Sequence, residues 1–213
     1  MNLKSTKYEL QTILSGKSGY SYDALIQTVA RYLRTGQRAS PMAEEKHQSK
    51  GQETEKLINF AKENNLFYND IEEDQYISEG AEQKVYIKNE QYVLKLNDAI
   101  YYASWEDYFF NLILHNYFFA DTAYQLLGLY ENKKVLYAVV KQPFIRADRL
   151  TDLAQVKAFL ANNGFENTRS HDYYHPQLGI VLEDLHDENV LTQQETLYFI
   201  DTVFYIDSEV FWN

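Results

Sequence analysis

The stretch LEDLHDENVLTQQETLYFIDT, residues 182–202, restricts the fold more than any other part of the chain. Two apolar runs, Asn189-Val190-Leu191 and Leu197-Tyr198-Phe199-Ile200, flank a short polar turn, the pattern of a β-hairpin. Acids stand before the first run (Asp184, Asp187) and directly after the second (Asp201). A hairpin of this length brings Asn189 and Asp201 to the same end, and Asp184 lies five residues ahead of Asn189 on the loop that enters it. Carboxylates at the ends of buried strands are costly to desolvate unless something compensates them. Oxygen donors from one asparagine and one aspartate, completed by phosphates, make an open magnesium site. Magnesium prefers oxygen and commonly takes only one or two protein carboxylates.

A chain of 213 residues, 45% of them apolar, is long enough to bury a core and too apolar for disorder. Without cysteine it has neither disulfides nor thiolate zinc sites. Residues 1–16 read as an amphipathic helix and not as a signal peptide, and no apolar run reaches bilayer length. The expectation is a cytoplasmic protein with no membrane partner. The net charge of −11 argues against a dedicated nucleic-acid binder. Residues 1–38 nevertheless carry Lys4, Lys7, Lys17, Arg31, Arg34 and Arg38 against Glu9 and Asp23. This basic segment is expected to dock on the acidic remainder of its own chain, with an acidic partner or nucleic acid as the alternative.

Helical spacing of apolar residues covers residues 3–14 and 22–33, with a turn over 15–19. Residues 36–51, GQRASPMAEEKHQSKG, are polar and read as a flexible linker. That divides the chain into a helical segment with its linker, residues 1–50, and a second domain, residues 51–213. Another helix is expected over 53–64, then hairpins from 83–88 with 91–96 and from 125–130 with 135–140. Between these hairpins a long apolar helix spans 104–119, with Ser104 as N-cap and Glu106 and Asp107 facing the positive end of the dipole. A helix near 151–162 and a strand near 179–182 precede the terminal hairpin, an α+β order. The many tyrosines, including the pairs Tyr101-Tyr102 and Tyr173-Tyr174, read as amphipathic packing, and His115-Asn116 as local packing or capping. His171 and His175 flank Asp172, but no third metal ligand follows at a suitable spacing.

Seven segments occur in an order that resembles the protein-kinase-like fold: GAEQKVY (80–86), VLKLNDA (93–99), WEDY (105–108), LHNYFFADTAYQLLG (114–128), KQPF (141–144), DLHDENVL (184–191) and FID (199–201). The resemblance is closer still to the kinase-like domains of polyvalent proteins of phages and conjugative elements. It implies a small bilobal kinase-like fold preceded by an N-terminal helical segment, with ATP and Mg2+ as cofactors. On that resemblance Asp184 accepts or orients the hydroxyl proton of the substrate, and Asn189 and Asp201 hold the metal. Lys95 contacts the nucleotide phosphates and pairs with Glu106, Asp107 being the other candidate. Gly80 and Ala81 form the loop over the phosphates, Gln142 bonds adenine through its backbone because Pro143 has no N–H, and His186 contacts phosphate.

The chain departs from the kinase pattern at several positions. Leu182 stands where a histidine is usual, His186 where a lysine is frequent, and Thr202-Val203 follow Asp201. The phosphate loop has one glycine, and the sequence ends 12 residues after Asp201. A truncated C-terminal lobe is therefore expected. The tail and the N-terminal helices would then cover the hairpin, from this chain or from a second copy in a homodimer. Two functions stay open: a phosphotransferase acting on a hydroxyl of an unknown protein or small molecule, and a pseudokinase or nucleotide-binding interaction module.

Overall fold

Three helices open the chain in the computed structural model, which describes residues 3–17, 24–34, 44–79 and 83–213. They are α1 (Leu3–Leu14), α2 (Ala24–Arg34) and α3 (Glu44–Asn64). An antiparallel sheet of five strands follows: β1 (Tyr76–Glu79), β2 (Gln83–Ile87), β3 (Tyr92–Asn97), β4 (Gln125–Asn132) and β5 (Val135–Pro143), in the spatial order β1-β2-β3-β5-β4. Helix α4 (Trp105–Phe118) connects β3 to β4. Helix α5 (Leu153–Asn162) leads into a second antiparallel sheet. Its strands are β6 (Glu166–Arg169), β7 (Asp172–His175), β8 (Ile180–Glu183) and β11 (Val203–Ile206), ordered β11-β8-β7-β6. Between β8 and β11 the chain makes the hairpin β9 (Val190–Gln193) and β10 (Thr196–Phe199), and α6 (Ser208–Phe211) closes the sequence.

Helix α4 organises this α+β arrangement. Its Ser104 hydroxyl accepts the Asp107 N–H (3.0 Å), the N-cap expected from sequence. A second orphan donor at the same end, Trp105 N–H, goes to the Glu53 carboxylate of α3 (2.7 Å), and burial raises the pKa of that acid. Behind the cap the helix is apolar on all sides, which requires cover on all sides. Leu10, Ile13 and Leu14 of α1 and Ile26, Val29, Ala30 and Leu33 of α2 are buried in the core that α4 centres. Phe204 of β11 and Phe211 of α6 join that core, whereas Trp212 is exposed, and the hairpin residue Phe199 packs on Phe119 and Phe159. A smaller cluster, Tyr86, Leu94, Leu96 and Val139, lies within the five-stranded sheet. Gly128 sits at a bulge in β4 where any Cβ would fall on the Leu66 carbonyl, so the chain after α3 passes too close for a side chain.

Two expectations need correction. The linker over 36–51 is helix from Glu44 onward, residues 35–43 lying outside the described residues. Glu44, Glu45 and Lys46 are good helix formers, and Lys50 anchors the helix by donating to the Ala99 and Tyr102 carbonyls. Strands β6 and β7 were not anticipated, because Glu166–Arg169 is exposed and polar along its whole length and carries no alternation. The N-terminal segment does pack on its own chain. Lys7 donates to the Val210 carbonyl (2.6 Å), Tyr117 donates to Glu9 (2.9 Å), and Arg34 pairs with Glu106 (3.0 Å). Among the described residues no helix is long and apolar enough to cross a membrane.

Because α1 and α2 cover α4, the Leu33→Ala variant should lose about 2–5 kcal/mol in chemical denaturation. Deleting residues 1–50 should lower the melting temperature or cause aggregation through the uncovered face of α4. A truncated protein that stays monomeric and equally stable would instead identify the segment as an independent arm.

Candidate active site

The pairing of β8 with β11 assembles the acidic residues. Glu183 lies opposite Val203, so the chain leaves β8 at Asp184 beside the point where it enters β11 after Asp201. In between, the β9–β10 register sets Val190 against Phe199. The Asn189 carbonyl accepts from Ile200 N–H (2.9 Å) and Asp201 N–H (3.3 Å). Asn189 and Asp201 thus meet at one end of the hairpin, as its length predicts. The Asn189 amide also donates to the Asp184 carbonyl (2.8 Å) and to its carboxylate (3.0 Å), which draws the third residue in. Asp184 adopts a left-handed backbone (φ 65°), strained for most side chains and tolerated best by Asp and Asn. Its N–H is held by the Asp172 carboxylate (3.2 Å), while its own side chain stays 60% exposed and open to a reactant.

His186 joins this loop. Its ring lies between two donors, Glu188 N–H at Nδ1 (3.2 Å) and the Asn189 amide at Nε2 (3.1 Å), with Nε2 3.5 Å from the Asp184 carboxylate. Acids crowd the loop: burial, then Asp172 and Asp184, raise the pKa of the neighbouring Glu183. Among the described residues no three His, Cys, Asp or Glu side chains converge as a metal-ligand set, and this includes His171, Asp172 and His175. The Asn189 and Asp201 pair offers oxygen donors alone, the chemistry suited to magnesium.

Lys95 projects from β3 into the same place, with its side chain only 6% exposed. Its ammonium donates to the Ile200 carbonyl (2.8 Å), lies 3.8 Å from Asp201 and sits 5.6 Å from the centre of the Tyr124 ring. The Gln83 amide of β2 also reaches the Asp201 carboxylate. The expected pairing of Lys95 with Glu106 is not found. Glu106 is in the first turn of α4 and faces α2, where it meets Arg34. Asp107 does not replace it, and Lys95 meets Asp201 instead.

Gln142 also behaves differently from expectation. Phe144 N–H donates to the Gln91 carbonyl (2.7 Å), and antiparallel ladders bond alternate pairs, so Gln142 N–H points at its β3 partner Val93. Its buried side chain donates to the Thr122 carbonyl (2.8 Å). The backbone of Gln142 is therefore held by the sheet. Gly80 and Ala81 lie outside the described residues.

Several residues at the site escaped the sequence reading: Gln83 and Tyr124 on the Lys95 side, Asp172 beneath Asp184, and Thr202 next to Asp201. His115 was read as local packing. It is fully buried and bonded to Thr202, and burial pulls its pKa down to about 3, leaving the ring neutral. A histidine four residues from an asparagine in an apolar helix was the available signal, because Asn111 and His115 share one face. Asn116 does not cap the helix but ties it to the chain entering β4, exchanging bonds of 2.8 and 2.6 Å with the backbone of Tyr124.

A family model described as a serine/threonine/tyrosine kinase found in polyvalent proteins matches residues 50–208. No curated protein and no solved structure gave a match.

Burial, opposed by Arg34 and reinforced by Glu53 and Asp107, pushes the Glu106 pKa up to about 7. An acid whose folded-state pKa lies above its unfolded value loses its stabilising contribution as pH rises through the folded value. Stability should therefore fall between about pH 4.5 and 7 by roughly 1–3 kcal/mol from this group. Glu106→Gln should flatten that part of the profile and melt higher than the parent protein at pH 8. Parallel melting profiles for the two proteins would remove Glu106 as the cause.

Proposed function

The chain belongs to the family of serine/threonine/tyrosine kinases found in polyvalent proteins, and on that premise we propose an ATP- and magnesium-dependent phosphotransferase acting on a hydroxyl of a protein or small molecule. The observation that carries this reading is the convergence of Asp184, Asn189, Asp201 and Lys95 at one end of the β9–β10 hairpin. In the kinase reading, the five-stranded sheet and the second sheet with its hairpin are the two lobes of a bilobal fold. The nucleotide lies between β3 and that hairpin.

Asp184 accepts the proton of the attacking hydroxyl as its oxygen bonds to the terminal phosphorus and the bond to the ADP oxygen breaks. Its exposed carboxylate, steadied by the Asn189 amide, suits that role. Asn189 and Asp201 hold magnesium, which supplies neutralisation of phosphate charge. The amide nitrogen of Asn189 is engaged by Asp184, which leaves its oxygen as the donor. Lys95 exchanges its contacts with Asp201 and the Ile200 carbonyl for the phosphates, and His186 contacts a phosphate oxygen. The adenine edge meets the Pro143 carbonyl, which the alternation of β5 turns away from β3.

The absence of an acid from α4 beside Lys95, since Glu106 is engaged by Arg34, favours a second reading: a nucleotide-binding module with little or no transfer. A thermal shift with ATP and magnesium but no turnover would select it.

Two substitutions separate the roles. Asp201→Asn should weaken magnesium-dependent ATP binding about tenfold or more while the fold persists, and unchanged affinity in titration calorimetry would count against the assignment. Asp184→Asn should bind nucleotide normally and transfer phosphate about 10²–10⁴ times more slowly. Full transfer activity in that variant would take Asp184 out of the mechanism.

A further inference from the structure

His115 lies in the last turns of α4 with no exposure. Its Nε2 is 3.0 Å from the Thr122 carbonyl, which can only accept, so Nε2 carries the proton. Nδ1 is then the acceptor for the Thr202 hydroxyl at 2.7 Å. Thr122, just beyond the helix, donates its hydroxyl to the Phe199 carbonyl (2.5 Å). Tyr124 donates its hydroxyl to the Ile200 carbonyl (2.9 Å), the oxygen that also receives the Lys95 ammonium. The Tyr124 ring packs on His115, with centroids 4.5 Å apart. Residues 199 and 200 are thus bonded by the connection from α4 to β4 and residue 202 by α4 itself, and Asp201 is held between them.

Resting on the kinase reading above, we propose that His115, Thr122 and Tyr124 are positioning residues that hold Asp201 in its working place, with α4 as a fixed strut and not a movable donor of an acid. The acids of α4 are both in its first turn, at the opposite end of the helix from His115. What the helix offers the site is a neutral ring that grips the residue after the metal ligand. Moving α4 relative to β11 would orphan His115, Thr202 and Asn111, whose amide oxygen takes Phe204 N–H at 2.8 Å. Orphaned buried polar groups carry the full cost of desolvation, so the arrangement resists partial displacement. Asp201 accordingly stands in place before nucleotide arrives.

The test uses the full chain and a fluorescent ATP analogue at fixed concentration, titrated with magnesium. Thr202→Val keeps the side-chain shape and deletes the hydroxyl, and Thr202→Ser restores it. For Thr202→Val the magnesium midpoint should rise about tenfold, with analogue affinity in chelator changed by less than about twofold. Thr202→Ser should return the midpoint to near the parent value. A Thr202→Val midpoint equal to the parent's, an equal loss in both variants, or an equal loss with and without magnesium would overturn the strut. If Thr202→Val does not fold, Tyr124→Phe, which removes only the hydroxyl on the Ile200 carbonyl, reads the same midpoint with the same two outcomes. A parent protein that binds the analogue without any response to magnesium would overturn the kinase reading and the strut together. A magnesium response that survives both substitutions would overturn the strut alone.

Discussion

The burial of α4 governs everything around it. A helix apolar on every face has to be wrapped, and the chain wraps it with α1, α2, β11 and α6. The polar side chains that go inside with it, Asn111, His115 and Asn116, are cut off from water. Each must find a fixed partner, because an unpaired buried polar group is expensive. The partners are Phe204 N–H, Thr202 with Thr122, and the backbone of Tyr124. Satisfying the helix therefore ties β11 and the β4 entry to it, and those segments border Asp201 and Lys95. Core packing and site geometry are one requirement here.

The site itself is built of repelling charge. Asp172, Glu183, Asp184, Asp187, Glu188 and Asp201 fall on or beside one loop and the mouth of one hairpin in a chain of net charge −11. The protein tempers this with backbone N–H donors to the Asp172 carboxylate and the His186 ring, with the Asn189 amide, and with Lys95 near Asp201. Under the proposed function, a cation held together with polyphosphate would offset that repulsion. The same logic places Glu106 elsewhere. Against α2 it has Arg34, whose guanidinium also lies over the rings of Phe110 and Trp212.

Much of this was legible in residues 182–202. Two apolar runs about a polar turn announce a hairpin, and a hairpin's length alone decides that Asn189 meets Asp201. Ser104 followed by acids announces a helix start, and the apolar run behind it announces a buried helix. Less could be read where the signal was composition. Residues 44–51 look like a linker because they are polar, yet helix propensity and the Lys50 contacts carry α3 through them. Exposed β6 has no alternating face to read and exists by pairing with β7.

What the sequence determined by itself is local: the elements, their caps, the turns between strands, and the placement of chemistry-bearing residues at their ends. These follow from interactions over a few residues, whose periodicity and spacing the sequence states directly. The tertiary structure decided which charged group faces which. Glu106 and Asp201 are both plausible partners for Lys95 along the chain, and only the rotation of α4, set by how its apolar surface packs on α1 and α2, sends one to Arg34 and leaves the other at the lysine. The same packing turned His115 from an ordinary helix residue into the support of Thr202. Long-range packing selects such pairs, because a side chain's partner depends on the orientation of two rigid elements, and no spacing within either one encodes that angle.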